Sequence, residues 1–259
     1  MSAVLTLSKN AVKRRAFIED TIPSPSSILE IGAFDNPIFR REMGDDVKYV
    51  DWFSRDELVA MHKNNPRRDP DRIVDIDFVV KSSRLAENIP ERFELVCASH
   101  VIEHVADVVR WLYEIASLLS ENGRVFLAIP DRRYTFDYFR NTSTAAQMLR
   151  AYDEKLKIPS KWQLVDHFYY HQKVDLKAIW NAEPMPEFRP RFGMDHAIEL
   201  ADRKAKTYTD CHCWTFTSDT FRQVLADLAS AGLSPFEIER AADPLPNTSE
   251  FHVLLRKTP

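Results

Sequence analysis

The sequence predicts an α/β fold in which a mostly parallel sheet is covered by helices on both faces. From residue 28 onward, short apolar runs alternate with amphipathic segments, which is typical of strands joined by crossover helices. The segment 107–122 supports this prediction because Val108, Trp111, Leu112 and Ile115 fall on one face at helical spacing. A chain of 259 residues is long enough to bury the core of such a sheet within a single domain.

The individual elements follow from apolar runs, caps and glycines. We predict strands in the segments 28–31, 47–52, 72–78, 93–105, 123–131, 234–241 and 250–257. We predict helices at 107–122, closed by Gly123, at 144–156, and from Ser218 to a stop at Gly232. Residues 132–210 break the rhythm, being rich in aromatic residues, histidine and proline, and we interpret them as an insertion after the fifth strand.

Composition excludes several classes of protein. With 35 basic and 39 acidic residues the formal charge is −4, so no overall basic field would attract nucleic acid. The three cysteines provide no pairing framework, which favours a reducing compartment, and we predict a cytoplasmic protein. No apolar run approaches the roughly 20 residues that cross a bilayer, so we expect no membrane span.

Candidate ligand-binding residues stand where the predicted strands end, which is the edge at which open α/β sheets bind ligands. Gly32 allows a ligand to approach the backbone closely, and Glu30 could hold a nearby turn or an amino group. Asp51 could accept hydrogen bonds from two ribose hydroxyls, and Asp75 or Asp77 could accept from an adenine amino group. Taken singly, Glu30 could instead cap a helix and Asp51 could start a turn. Together on one edge, these residues favour a ligand site.

Four segments resemble the class I S-adenosylmethionine-dependent methyltransferases. The run "LEIGAFDNP" is similar to the family's first loop, "YVDW" to its ribose-binding acid, "VDIDF" to its adenine-side segment, and "FELVCASHVIEHV" to its fourth strand. The resemblance covers residues 26–131, and the closing helix and strand pair by pattern. It departs in the first loop, where the family usually has two or three glycines and this chain has one.

The resemblance implies a Rossmann-like, doubly wound, seven-stranded sheet whose last strand is antiparallel, and S-adenosyl-L-methionine as the cofactor. A dinucleotide site would need G-x-G-x-x-G, which this chain lacks. A sulfonium cofactor carries no phosphate, so one glycine is sufficient. The implied cofactor-binding residues are Glu30, Gly32, Asp51, Asp75, Ile76, Ser99 and His100.

Histidines are the candidate catalytic residues, since a hydroxyl acceptor needs a base whose pKa lies near neutrality. Sugar O-methyltransferases of this superfamily carry a catalytic histidine in the loop after the fourth strand, where this chain has His104. The alternative is that His104 is only architectural. In the insertion, His167 and His171 are one helical turn apart and His212 is a candidate for the acceptor pocket. The catalytic candidates are therefore His104, His212 and His167.

The insertion contains polar residues that could form a metal site or an acceptor site. Histidine and aspartate pairs there could bind a divalent metal, but Cys211 and Cys213 are spaced too closely for a usual zinc site, and we predict none. The run "PDRRYTFDYFR" could clamp an anionic or sugar acceptor through Arg132, Arg133 and Arg140, or it could be a salt-bridged surface strand.

That run, followed by "HCWTF", resembles bacterial methyltransferases associated with cell-surface glycan synthesis. We predict that residues 132–210, which the methyltransferase resemblance leaves unassigned, form an acceptor-side cap. The resemblance to glycan-associated enzymes implies that a sugar or glycan-linked hydroxyl is methylated. Two alternatives stay open, namely N-methylation of a small amine and a binding protein that has lost catalysis. A small-molecule or glycan acceptor is the expected partner, and a homodimer is a further possibility.

Overall fold

The computed structural model describes residues 6–66, 68–82, 84–184 and 186–258. The strands, in chain order, are β1 Ile28–Ile31, β2 Val47–Asp51, β3 Phe78–Val79, β4 Phe93–Ser99, β5 Leu119–Pro130, β6 Phe236–Ala242 and β7 Glu250–Lys257. They form one sheet in the order β3-β2-β1-β4-β5-β7-β6. β7 is antiparallel to β5 and β6, and the remaining pairs are parallel. The predicted seven-stranded sheet with an antiparallel last strand is confirmed.

Helices cover both faces of this sheet. They are α1 Lys9–Glu19, α2 Arg55–His62, α3 Leu85–Asn88, α4 Val108–Leu118, α5 Ala145–Asp153, α6 Lys161–Tyr170, α7 Leu176–Trp180, α8 Met194–Lys204 and α9 Ser218–Ser230. β5 shows why both faces are buried, since its successive side chains point to opposite sides. Leu127 packs with Trp111 of α4 in one core, whereas Phe126 packs with Phe17 of α1 in the other. The sheet is therefore doubly wound.

The prediction for the third strand was wrong in position. β3 contains only Phe78 and Val79, so Asp75 and Asp77 precede the strand instead of ending it. The Asp77 carboxylate accepts a hydrogen bond from the backbone N–H of Tyr49 at 2.7 Å. The backbone N–H of Asp77 donates to the Tyr49 carbonyl at 2.9 Å. This side-chain bond takes the place of a ladder bond along β2, so regular pairing starts one residue later.

The predicted role of Gly123 was also wrong. α4 ends at Leu118 and β5 begins at Leu119, so Gly123 lies inside a strand. A Cβ atom there would lie 2.9 Å from the Phe93 carbonyl oxygen, and the residue therefore permits a close approach of β4 and β5. The predicted stop of the later helix is confirmed, because Gly232 follows α9 with a left-handed φ of +71°.

Residues 132–210 contain α5 to α8 and lie between β5 and α9. The chain then returns to the sheet edge, where Phe216 forms a parallel bridge with Asp131. The role of this segment as an acceptor-side cap stays a prediction. None of the helices in the described ranges has the length and apolar character needed to cross a bilayer.

Candidate active site

A cavity of about 690 Å³ opens at the carboxyl ends of the central parallel strands. It lies beside the point where the strand order reverses between β1 and β4, which is where doubly wound sheets bind ligands. Its lining comes from the loops after β1, β2, β3 and β4 and from the insertion. Among the sequence-predicted residues, those that line it are Gly32, Asp51, His100 and His104.

Gly32 lies at the floor of the cavity, where the loop after β1 contacts the loop after β4. Its φ is +65°, a left-handed value that favours glycine, and an added Cβ would lie 3.1 Å from Cγ2 of Val101. Its N–H donates to the Val50 carbonyl at 3.0 Å. The loop after β1 therefore lies directly against the loop after β4, and a side chain at Gly32 would separate them or fill the cavity.

Glu30 supports this floor from below and does not line the cavity. Its buried carboxylate accepts hydrogen bonds from the N–H groups of Ile38 at 2.8 Å and Phe39 at 3.3 Å. Burial raises the pKa of Glu30 to about 7, although those hydrogen bonds and the Arg14 charge oppose the shift. Of its two predicted uses, the structure shows the one in which Glu30 holds the turn.

Asp51 ends β2 with its carboxyl group at the cavity. Oδ1 accepts a hydrogen bond from the N–H of Phe53 at 2.9 Å. Burial raises the pKa of Asp51 above its ordinary value, and backbone N–H groups of the following turn oppose the shift. The carboxyl group is thus fixed at the end of the strand that neighbours β1, where the sequence predicted contact with ribose hydroxyls.

Asp75 and Ile76, predicted on the adenine side, do not line the cavity. The Asp75 side chain is 85 % exposed and lies 3.4 Å from Arg55. Val80 and Ser82, which follow β3, line the cavity in their place. The apolar run Phe78-Val79-Val80 was the signal for the true strand position.

Ser99 and His100 end β4 and differ in placement. Ser99 does not line the cavity, and its buried Oγ has no hydrogen-bond partner among the described residues. His100 lines the cavity with a left-handed φ of +54°, and its Nε2 lies 2.7 Å from the Glu250 carboxylate. Arg14 donates to the same carboxylate at 2.6 Å. Burial raises the pKa of Glu250, but the hydrogen bonds with His100, His252 and Arg14 outweigh burial and hold the pKa of this carboxyl group well below its usual range.

His104 lies in the wall next to the insertion. It ends a 3-10 turn, and its Nδ1 lies 2.7 Å from the Asp210 carboxylate, which comes from the insertion. Burial disfavours the charged ring, but Asp210 and Glu103 outweigh burial and raise the pKa of His104 to about 9. Tyr208 stacks on Trp52 with ring centroids 5.1 Å apart, so the insertion also meets the loop after β2.

Two further acids lie behind His104, and the sequence prediction missed both. The Nδ1 atom of His212 lies 2.5 Å from the carboxylate of Asp137. The Nε2 atoms of His104 and His212 lie 3.8 Å and 4.0 Å from Oε1 of the buried Glu103. Each acid stands in a motif already noted, "IEH" or "TFD", and an acid close to a candidate histidine was the available signal. His212 itself does not line the cavity.

His167 and Arg140 hold this group in place. The N–H of His212 donates to Nδ1 of His167 at 3.3 Å, and burial with the Arg140 charge lowers the pKa of His167 to about 3. Arg140 is 1 % exposed and binds Asp137 at 2.9 Å and Asp166 at 2.7 Å. Arg140 therefore cannot clamp an acceptor as the sequence suggested. His167 does not line the cavity, and its catalytic role stays a prediction.

These residues fit a nucleoside cofactor. The glycine floor gives close access to the backbone, Asp51 offers a carboxylate to hydroxyl groups, and Val80 and Leu85 give an apolar wall for a base. The cavity volume lies within the range of about 300 to 1,000 Å³ typical of small-ligand sites. The cradle is therefore the right size and chemistry for an adenosyl compound.

Comparisons with known proteins agree with this arrangement. The methyltransferase domain family matches residues 6–183, which is more than half of the chain. No curated protein sequence matches the chain. Among solved structures, 1,6-didemethyltoxoflavin-N1-methyltransferase of Burkholderia thailandensis is 14 % identical with a TM-score of 0.51, covering 97 % of this chain and 79 % of its own. This likeness shows the fold.

Two other solved structures are more distant. Magnesium protoporphyrin IX methyltransferase of Synechocystis PCC 6803 is 9 % identical with a TM-score of 0.44, covering 96 % of this chain and 83 % of its own. A Rhodobacter sphaeroides protein described as a Zn-dependent alcohol dehydrogenase is 15 % identical with a TM-score of 0.48, covering 98 % and 92 %. Both TM-scores lie below 0.5. The family match and the cavity together show that the chain belongs to the methyltransferase domain family and is an S-adenosylmethionine-dependent methyltransferase.

Proposed function

We propose that this enzyme methylates a hydroxyl group of a sugar or glycan-linked small molecule. The observation that carries the proposal is the His104–Asp210 pair in the cavity wall, at 2.7 Å. A neutral amine attacks a methyl group with its own lone pair, whereas a hydroxyl must lose a proton. An imidazole oriented by a carboxylate at the cavity wall suits the hydroxyl.

The roles of the chain's residues follow from their positions. Gly32, Asp51 and His100 would hold S-adenosylmethionine, which supplies an electrophilic methyl group when it is bound. Asp210 lies against Nδ1 of His104, so Nε2 is the atom that would take the acceptor's proton. Because the pKa of His104 is raised to about 9, the neutral ring that acts as the base gains population as pH rises towards 9, and the methylation rate should rise with it. The loops around the cavity exclude water and hold the acceptor oxygen near the reacting carbon.

Two features support a sugar as the acceptor. Trp52 and Tyr208 present aromatic rings at the cavity, and aromatic faces stack on sugars. A second cavity of about 330 Å³ shares Leu156 with the first and is lined by amide groups and by the exposed indole of Trp162. These groups suit the hydroxyls and faces of a second sugar unit. The resemblance of "PDRRYTFD" and "HCWTF" to glycan-associated methyltransferases points the same way.

The test is transfer of a labelled methyl group from S-adenosylmethionine to a panel of sugars, nucleotide sugars and small amines. We expect labelling of hydroxyl compounds, and loss of turnover at unchanged cofactor affinity in His104→Asn. His196→Asn, which changes an exposed histidine on α8, is the matched control. Labelling of amines alone would replace the proposal with N-methylation. Absence of cofactor binding at millimolar concentration would favour the binding-protein alternative.

A further inference from the structure

We propose that Glu103, His104 and His212 bind a divalent transition-metal ion of the Zn²⁺ type beside the cavity. One donor atom from each of the three side chains lies within 4.8 Å of the other two. Two imidazole nitrogens and one carboxylate oxygen are a donor set that Zn²⁺ takes in catalytic sites. The sequence prediction was that this chain has no metal site, since Cys211 and Cys213 are spaced too closely for a usual zinc site.

The Glu103 carboxylate gives the first reason. Glu103 is 0 % exposed, and neither of its oxygens has a hydrogen-bond partner among the described residues. The nearest histidine nitrogens lie 3.6 Å, 3.8 Å and 4.0 Å from Oε1, on His100, His104 and His212, which is too far for hydrogen bonds. A buried carboxylate without a partner is costly, and a cation among these nitrogens would remove that cost.

The orientation of the two histidines gives the second reason. The Nδ1 atom of His104 faces Asp210 at 2.7 Å, and that of His212 faces Asp137 at 2.5 Å. Asp137 accepts the Nδ1 proton of His212, and the contact of His104 with Asp210 is an ion pair. In both rings Nε2 is the nitrogen that lies near Glu103. Histidines that bind metals are held in this way, with the second nitrogen donating to a carboxylate. Three ligand atoms therefore converge, and an ion bound there would displace the proton that His104, with its pKa of about 9, carries on Nε2.

Geometry and access are compatible with an ion. Zinc bonds of about 2.0–2.1 Å in a tetrahedral site require donors about 3.3 Å apart, so the side chains would need to close by less than about 1.5 Å. His104 lines the cavity, which gives the ion an entry path. Three protein ligands leave a fourth position open, as in catalytic zinc sites.

An ion here would deepen the proposed function, and this consequence rests on it. A hydroxyl oxygen that occupies the open position would have a lowered pKa and would lose its proton more readily. His104 would then be a ligand, and the metal would take over the activating role assigned above to the free imidazole. Binding of the ion does not itself depend on the acceptor.

The first experiment is a calorimetric titration of the full chain with ZnCl₂ after metal has been stripped with a chelator. We expect one ion per chain, and binding at least tenfold weaker in Glu103→Gln. Asp210→Asn should weaken binding about 10- to 100-fold, because Asp210 orients a ligand. The Asp210 side chain is 72 % exposed, so this variant should fold even if the Glu103 variant does not. His196→Asn should bind as the wild type does.

Equal Zn²⁺ affinity in the wild type and both cluster variants would overturn the site, and so would the absence of stoichiometric binding. X-ray absorption of the Zn²⁺-loaded protein should show two nitrogen ligands of imidazole type, and a shell of oxygen alone would contradict the proposal. Hydroxyl methylation at an undiminished rate after metal removal would restore the base role of His104 and reject the catalytic consequence. Failure to methylate any hydroxyl would leave the titration interpretable, so the two proposals fail separately.

Discussion

Gly32 has both a backbone and a steric reason to be glycine. Its φ of +65° disfavours other residues, and a Cβ atom would lie 3.1 Å from Val101. The family resemblance suggested two or three glycines in this loop, yet one is enough to bring the loops after β1 and β4 into contact. The remaining rigidity comes from Glu30, whose carboxylate holds the N–H groups at Ile38 and Phe39.

Gly32→Ala should therefore lower both stability and cofactor affinity. We expect a loss of about 1–2 kcal/mol in the free energy of unfolding from the left-handed backbone, and about tenfold weaker binding of S-adenosylmethionine because the cavity floor shifts. Gly232→Ala is the matched control, since its φ is +71° and a Cβ there meets nothing within 4 Å. Urea unfolding and calorimetry should show the stability loss in both variants and the affinity loss in Gly32→Ala alone.

Asp51→Asn should weaken cofactor binding about tenfold, which corresponds to about 1.4 kcal/mol. The reason is the loss of a charged acceptor for ribose hydroxyls. Asp75→Asn should leave the affinity unchanged, because Asp75 is exposed and lies outside the cavity. Calorimetric titration with S-adenosylhomocysteine checks both variants, and equal affinity in Asp51→Asn and the wild type would contradict the assignment.

At the scale of elements, Arg140 connects separate parts of the insertion with one another and with the segment that contains His212. It binds Asp137, Asp166 on α6 and the carbonyl oxygen of His212, at 2.7–2.9 Å. These contacts link the segment after β5, helix α6 of the insertion, and residues 211–217, where the chain returns to the edge of the sheet. The position of His212 thus depends on a buried ion pair, and not only on apolar packing.

Arg140→Leu should destabilise the protein by about 3–5 kcal/mol, because it leaves a buried carboxylate without its main cation. Arg150→Leu removes an arginine from an exposed pair with Glu154 on α5 and should cost below about 1 kcal/mol. Denaturant unfolding followed by circular dichroism measures both. A similar loss in the two variants would show that the buried pair is not what fixes the insertion.

The elements also show what sequence could and could not predict. Buried strands, α4 and α9 follow from periodicity and caps, so the sheet and the cavity edge were predictable. The position of β3 was misassigned because the acids before it resemble strand-end residues, although the apolar run 78–80 marks the strand. The replacement of a ladder bond by the Asp77 side chain is not visible in the sequence. Glu103 and Asp137 were missed although each stands in a segment that was singled out for a candidate catalytic or acceptor role. Their pairing with His104 and His212 depends on a contact between the β4 loop, the segment after β5 and residues near 212, and sequence does not show that contact.

At the scale of the whole molecule, Glu30 makes stability depend on pH. Its pKa is raised from 4.5 to about 7, so the folded state holds this proton more tightly than the unfolded chain. The contribution of Glu30 to the free energy of unfolding should therefore be complete below pH 4.5 and should fall as pH rises towards 7.

The predictions of a homodimer and of a cytoplasmic location also concern the whole molecule, and they stay predictions.

Glu30→Gln should remove this dependence, since an amide oxygen can still accept from the same N–H groups. Between pH 4.5 and pH 7, the free energy of unfolding of the wild type should fall by about 3 kcal/mol relative to that of the variant. Urea unfolding of both proteins in steps of pH measures the difference. A constant difference across the interval would mean that Glu30 titrates normally.

The carboxylate of Glu250 lies between Arg14 and His100, so the cavity floor is completed by a residue 236 positions after the first of its partners. During synthesis the nascent chain carries Arg14 and His100 long before Glu250, their shared partner, leaves the ribosome. Most of the sheet can assemble in that interval, but His100 has no fixed orientation until β7 inserts. The binding competence of this enzyme should therefore arise late in biogenesis, with the arrival of a strand that contributes no residue to the cavity lining.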